Sequence, residues 1–344
     1  MKPSSMADVA RLAGVSKSTV SAVINNKDIV RETTRRRVLQ AIAELNYRPQ
    51  PTAGTAARST GTRCIGYLIK EAGNPYYAET LAGIQEVAHE AGYLVFVSSS
   101  EGQYSLEQDI VQQFSAHHFD GLIVTPILND ETDLMHIFEL KRQHVPFILL
   151  ENIRGVRASL VDTDNVRSEA LAVKHLIDLG HTEIVHFGGP DYSEHTEERI
   201  AGVRKAFSES RLIFDPEGII PTGDSVESGY RVGKAYFSSE KSRRVTGVTC
   251  YNDLVAIGLL KALTELDIRV PEDVSVIGFD NLSILDYFPQ PLTTINVPKY
   301  EMGRRAAQLL IGEIEDRSKS RIERVYLEAE LIIRGSTAPP SERA

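Results

Sequence analysis

Several residues of this 344-residue chain combine a hydrogen-bonding or ring-bearing side chain with a place where a short apolar run stops. Glu151 follows Phe147-Ile148-Leu149-Leu150, Asn252 and Asp253 follow a run ending at Cys250, and Asp280 follows Phe279. Tyr77 closes the segment Asn74-Pro75-Tyr76-Tyr77 after the first run, and Arg199 is read as opening the helix beyond the Phe187-Gly188-Gly189-Pro190 turn, with His195 four residues earlier. A carboxylate such as Glu151 accepts two hydroxyl protons at once, amide and guanidinium groups supply donors, and a tyrosine ring stacks on a ligand face. Each residue also has a plainer role open to it. Asn252 and Asp280 suit helix caps or turns, Tyr77 suits a core, and a lone loop histidine is commonly just solvated.

Acid–base catalysis is the obvious alternative use of Asp, Glu, His and Arg in one cleft. The sequence offers no Gly-x-Ser-x-Gly elbow, no metal-ligand spacing and no phosphate loop, because Gly188-Gly189-Pro190 is too short to cradle phosphates. Groups at strand ends bind hydroxyls without turning them over. The expectation is a binding protein that is not an enzyme and needs no cofactor and no metal.

The elements that must position these residues alternate. Ile65–Ile69, Leu94–Val97, Leu122–Thr125 and Phe147–Leu150 read as apolar strands, and Tyr77, Leu81, Ile84 and Ala88 stripe a helix closed by Gly92. A second series runs from a helix over Asn165–Leu179 through strand Ile184–Phe187 and a helix over about Glu198–Ser208. Strands Val245–Cys250 and Val274–Phe279 complete it. Two such βαβ series predict two parallel sheets, hence two lobes, and ligands bind beyond the carboxyl ends of such strands. Cys64 and Cys250 fall in strands without neighbouring metal-ligand spacing and read as buried thiols.

The first 50 residues follow another pattern. Ser5 and Asp8 form a capping-box-like start, Val9, Ala10, Leu12 and Ala13 make an apolar stripe, and Gly14 stands where a helix ends with positive φ. Ser16 restarts the chain as an N-cap, Val20 and Val23 face inward with Ile24, and Val38, Ala41, Ile42 and Leu45 stripe a third helix over roughly Glu32–Asn46. Lys17, Ser18, Ser21 and Ala22 are then the outward residues of the second helix, and the N-terminal part of such a helix reads base edges. Charge agrees: residues 1–63 hold 11 Lys and Arg against 4 Asp and Glu, whereas the whole chain holds 38 against 47. A basic head on an acidic body is the footprint of phosphate binding confined to one domain.

The run Ala7-Asp8-Val9-Ala10-Arg11-Leu12-Ala13-Gly14-Val15-Ser16-Lys17-Ser18-Thr19-Val20-Ser21 resembles the lac-repressor (LacI/GalR) family of bacterial regulators. The likeness extends through Asn25, Thr34-Arg35, Glu44-Leu45-Asn46-Tyr47-Arg48-Pro49, Asn74–Glu79, Asp120–Val124, Leu179-Gly180-His181, Asn252–Gly258, Val270–Asp280 and Pro291–Thr294. It implies an all-α helix-turn-helix head (1–48), a hinge (49–63), a two-lobed α/β core of the type I periplasmic-binding-protein kind (64–335) and a short tail (336–344). It also implies a cytoplasmic homodimer on pseudo-palindromic operator DNA, with no membrane association. A small effector, sugar-like by the chemistry above, would set operator affinity. Arg199, Asn252 and Asp280 match effector-contacting positions, while Asn25, Thr34, Ala56 and Arg58 join the DNA-contacting set. A stand-alone solute-binding protein is the alternative, and it leaves the basic head unexplained. Three departures stand out. Ala22 occupies a position that is commonly arginine, Arg31 replaces a serine cap, and Ala56 falls at or near the hinge position where a leucine wedges into the minor groove.

Overall fold

The computed structural model describes residues 5–24, 29–45, 47, 62–128, 133–316 and 321–341. Asn25, Ala56 and Arg58, with most of the expected hinge, lie outside these residues. The chain divides into two compact units, 1–60 and 61–344.

The first unit is three helices, α1 (Met6–Ala13), α2 (Lys17–Ile24) and α3 (Glu32–Glu44). The Ser5 hydroxyl accepts from Asp8 N at 3.4 Å while the Asp8 carboxylate accepts from Ser5 N at 3.0 Å, so the expected capping box forms. Gly14 terminates α1 at φ +64°, a conformation a side chain would strain. The Ser16 hydroxyl accepts from Thr19 N at 3.1 Å and caps α2. Arg31 gives α3 no side-chain cap, as its replacement of a serine predicts. Val9, Ala10, Ala13, Val20, Val23, Val38 and Ala41 form the core.

Two readings of this unit need correction. Leu12, placed in the apolar stripe, is 46% exposed. Ala22, read as outward, is only 8% exposed, because a single methyl lies so close to the helix backbone that its neighbours cover it.

The second unit has two six-stranded sheets. One has order β11-β5-β4-β3-β1-β2, built from β1 (Cys64–Ile69), β2 (Leu94–Ser99), β3 (Gly121–Val124), β4 (Phe147–Leu149), β5 (Ser159–Thr163) and β11 (Arg324–Leu327). The other has order β12-β10-β9-β8-β6-β7, from β6 (Ile184–Gly188), β7 (Ile219–Pro221), β8 (Gly247–Cys250), β9 (Ser275–Asp280), β10 (Thr293–Asn296) and β12 (Glu330–Ile332). All pairings are parallel except β10 with β12. The chain crosses between lobes after β5, after β10 and after β11. Near-continuous burial of β1, β3, β4, β5, β6, β8 and β9 follows from helices covering both faces of each sheet. Strands β2, β7, β11 and β12 are less covered, β2 with Leu94 64%, Phe96 47% and Val97 43% exposed.

Helices α4 (Pro75–Glu90), α5 (Tyr104–Ala116), α6 (Met135–Arg142) and α11 (Lys299–Glu315) pack on the first sheet, and α7 (Asn165–Asp178), α8 (Glu194–Ser208), α9 (Val226–Phe237) and α10 (Asp253–Glu265) on the second. In each lobe a helix pair is seamed by glycines. A Cβ on Gly83 of α4 would lie 2.0 Å from Tyr300 O, and one on Gly303 of α11 would lie 2.0 Å from Thr80 O. Gly229 of α9 and Gly258 of α10 meet the opposing backbone in the same way, at 2.2 and 2.0 Å.

Helix α8 starts at Glu194, so Arg199 sits in its second turn rather than opening it. The tail boundary also moves. Ser336 is fully buried, donates to Val276 O at 2.6 Å and accepts from Thr293 N at 2.8 Å, and Ala338 O accepts from Ser275 Oγ. Residues 336–338 are therefore part of the second lobe. Cys250 is buried and Cys64 only half-buried, its thiol 3.3 Å from Thr62 O. Among the described residues, no helix is long and apolar enough to cross a membrane.

Candidate functional site

The six candidate ligand residues come from both lobes, and all of them, Tyr77, Glu151, His195, Arg199, Asn252 and Asp280, line one interlobe cavity of about 50 Å³. Lys70, Glu71, Asn74, Tyr76, Thr125, Leu150, Tyr192, Asp224 and Tyr251 complete its wall.

Glu151, at the carboxyl end of β4, is the most heavily bonded. Lys70, at the end of β1, forms an ion pair with it, and Ser193 donates to its Oε1 at 2.8 Å from the other lobe. Burial opposes ionisation of this carboxyl, but the charges of Lys70 and His195 and the hydrogen bonds from Lys70 and Ser193 outweigh it and hold the pKa at about 2. His195 Nε2 lies 3.1 Å from Asp162 Oδ2, and its Nδ1 lies 3.9 Å from Glu151. Burial favours the neutral ring, yet Asp162 and Glu151 prevail and raise its pKa to about 9. His195 is thus a mostly covered, ion-paired residue in the first turn of α8, not a solvated loop histidine.

Arg199 bonds Tyr251 O and Asn165 Oδ1, and its guanidinium lies 3.7 Å from the Phe279 ring centroid and 4.5 Å from that of Tyr251. Asn252 caps α10, accepting from Val255 N at 2.8 Å while its amide donates to Asp224 O at 2.8 Å. Asn252 is thus a helix cap that also lines the cavity. Tyr77 meets Tyr76 edge to face at 5.4 Å. Asp280 ends β9 at φ +114°, and burial raises its carboxyl despite Arg199 and Lys299. Asp253, called beside Asn252, lies behind that wall. It accepts from Thr294 Oγ1 at 2.7 Å and Leu282 N at 2.8 Å, and burial, then Asp280, pushes its pKa up.

Sequence reasoning missed Lys70, Glu71, Thr125, Tyr192, Ser193, Asp224 and Tyr251. Lys70 and Glu71 follow β1 and Tyr251 follows β8, so the strand-end rule already pointed there. Asp224 escaped because β7, Ile-Ile-Pro, ends in a proline and does not read as a strand. The Thr125 hydroxyl, buried at the end of β3, makes no hydrogen bond of good geometry. Asp162, His195 and Glu198 bring ligand atoms within 4.8 Å of one another, but Asp162 and His195 already pair and Glu198 accepts from Asn165 at 3.0 Å.

In the head, Lys17 and Ser18 are exposed beside Ser16 at the start of α2, while Ser21 and, in the first turn of α3, Thr34 are half-buried.

A helix-turn-helix head joined to a two-lobed α/β body with a polar interlobe cavity defines a DNA-binding regulator under the control of a small ligand. Residues 5–50 match the family described as bacterial regulatory proteins, lacI family, and residues 173–337 match the periplasmic binding protein-like domain. The chain is 34% identical over 332 residues to the HTH-type transcriptional repressor PurR of Aliivibrio fischeri strain MJ11, covering 96% of this chain and 97% of that protein. PurR of Vibrio cholerae serotype O1 (strain M66-2) is likewise 34% identical, over 321 residues, with 91% and 92% covered. Among solved structures, the lac repressor dimer bound to operator and the anti-inducer ONPF superposes with a TM-score of 0.78 at 27% identity, covering 98% of this chain and all of that one. The transcriptional regulator CelR–cellobiose complex gives 0.73 at 28%, with 97% and 99% covered. This chain belongs to the lacI family of bacterial regulatory proteins. It is a ligand-responsive DNA-binding transcriptional repressor, not an enzyme.

Proposed function

We propose that the cavity between the lobes is the effector site, and that the effector is a sugar or related polyhydroxylated metabolite. The single observation that supports this most is the convergence of Glu151, His195, Arg199, Asn252 and Asp280 on one cavity from four different stretches of chain. Carboxylates, an amide and hydroxyls in alternation suit a ligand whose every hydroxyl both donates and accepts. Related regulators bound to cellobiose and to ribose agree with this chemistry. A purine base is the second reading, favoured by the rings of Tyr76, Tyr77, Tyr192 and Tyr251 around the cavity.

In the same reading, Ser16, Lys17, Ser18 and Ser21 meet DNA, with Asn25, Thr34, Ala56 and Arg58 joining them, and the protein works as a cytoplasmic homodimer on a pseudo-palindromic operator. Burial of Ala22 weakens its assignment as a base contact. The cavity of about 50 Å³ is far below the ~300 Å³ of ordinary ligand pockets, so the lobes separate to admit the effector. Effector and operator then alter each other's affinity by equal factors through the lobe angle. A thermal-shift screen of free sugars, sugar phosphates and purine bases tests the effector class, since specific binding raises the melting temperature. Stabilisation by a purine alone overturns the sugar reading.

A further inference from the structure

Three cations reach the cavity, and each is already engaged. Lys70 is held by Glu151, His195 by Asp162, and Arg199 by Tyr251 O and Asn165 with an aromatic ring on either side. Of the four carboxylates lining the cavity, Glu151 is held by Lys70 and Asp280 lies in the field of Arg199 and Lys299, which leaves Glu71 and Asp224. Glu71 follows β1 in one lobe and Asp224 follows β7 in the other, and they meet at a single phenol. The Tyr192 hydroxyl lies 2.7 Å from Asp224 Oδ2 and 3.4 Å from Glu71 Oε1, and its one proton serves only the nearer. Among the described residues neither carboxylate is paired with a Lys or Arg. Burial, then the charge of Asp224 and a hydrogen bond to it, raises the Glu71 carboxyl to about 7, so a proton lies between the two where a ligand's ammonium would replace it. In the same cavity the buried Thr125 hydroxyl makes no hydrogen bond of good geometry, with only the buried Tyr67 hydroxyl close beside it, and a bound molecule would supply one.

We propose that the effector carries a protonated amine, placed between Glu71 and Asp224, and is therefore an amino sugar or comparable amino-polyol. This rests on the polyhydroxylated reading of the site and narrows it. An ammonium offers three donors to the two carboxylates, and the Tyr192 ring beside them attracts the same charge. One ligand group then bonds both lobes, so its binding draws them together. A phosphate in that place meets two carboxylates and is repelled.

The test uses the full-length protein and matched pairs: glucose and glucosamine, galactose and galactosamine, mannose and mannosamine, with glucose 6-phosphate as the anionic probe. Isothermal titration is expected to show one amine binding at least about tenfold more tightly than its neutral parent, the scale of a charge-assisted hydrogen bond, and no binding of the phosphate. Glu71→Gln and Asp224→Asn should each erase that preference while the neutral parent still binds. Neither substitution should lower the ligand-free melting temperature, because each removes like-charge repulsion. A neutral or phosphorylated sugar that binds as well as its amine overturns the amine assignment alone, as does an amine preference that survives both substitutions. If no sugar of the panel binds, the polyhydroxylated reading falls, and this inference with it.

Discussion

His195 Nε2 and Asp162 Oδ2 lie 3.1 Å apart, an ion pair that ties α8 of one lobe to the last strand before the first crossover from the other. Glu151, Glu198 and Arg199 face the same ring, and the two carboxylates Asp162 and Glu151 decide its charge. A folded-state pKa near 9, raised from 6.5, contributes stability that is fully present below pH 6.5 and lost as pH rises through 9. The melting temperature should therefore fall between pH 6.5 and 9.5, and His195→Gln should flatten that decline. An equal slope in wild type and variant contradicts the pairing.

Glu151 works at the opposite end of the scale. Its carboxyl, lowered from 4.5 to about 2, contributes stability that is present above pH 4.5 and lost as pH falls through 2. Replacing it with Gln leaves the buried Lys70 ammonium unmatched, a change of about 3–5 kcal/mol by comparison with broken buried pairs. Urea unfolding at pH 7 measures this. Lys70→Met with Glu151→Leu together should cost far less than either alone, since no stranded charge remains.

Arg199→Ala should abolish the effector response. Because the guanidinium also bonds Tyr251 O and packs on Phe279, the variant should lose about 2–4 kcal/mol of stability in the body. The head is a separate compact unit, so operator binding without effector should stay near wild type. A gel-shift titration with and without effector separates the two outcomes, and a normal response in the variant removes Arg199 from the site.

Lys17 stands exposed at the start of α2. Lys17→Ala should weaken binding to every duplex about equally and reduce the slope of log K against log salt by about 1, as loss of one phosphate contact does. Measuring operator and unrelated DNA at several salt concentrations checks it. A loss confined to the operator assigns Lys17 to base edges instead.

Periodicity and punctuation made most of this architecture legible. Ser5 and Asp8, Gly14 and Ser16 marked the head's helix ends because caps are local chemistry. The apolar runs at β1, β3, β4, β6, β8 and β9 announced buried parallel strands. Strands β5, β7, β10, β11 and β12 did not, since Asp162, Pro221, Thr293-Thr294, Arg324 and Glu330 interrupt or thin their apolar runs. Site residues beyond uninterrupted apolar runs were readable, whereas Tyr192 and Asp224 depend on how a loop and a proline-ended strand meet the other lobe. That meeting is a long-range fact with no local signature. Ala22 misled because helical position alone does not say whether a methyl group is covered.

The glycine seams carry a mechanical consequence. With Gly83 and Gly303 pressed against opposing carbonyls in one lobe, and Gly229 and Gly258 in the other, these helix pairs have no slack for sliding past one another. Each half of the body should then turn as a stiff block, leaving the three connecting strands as the axle. Under the proposed reading, a ligand in the pocket changes the angle between the lobes and does not repack either interior.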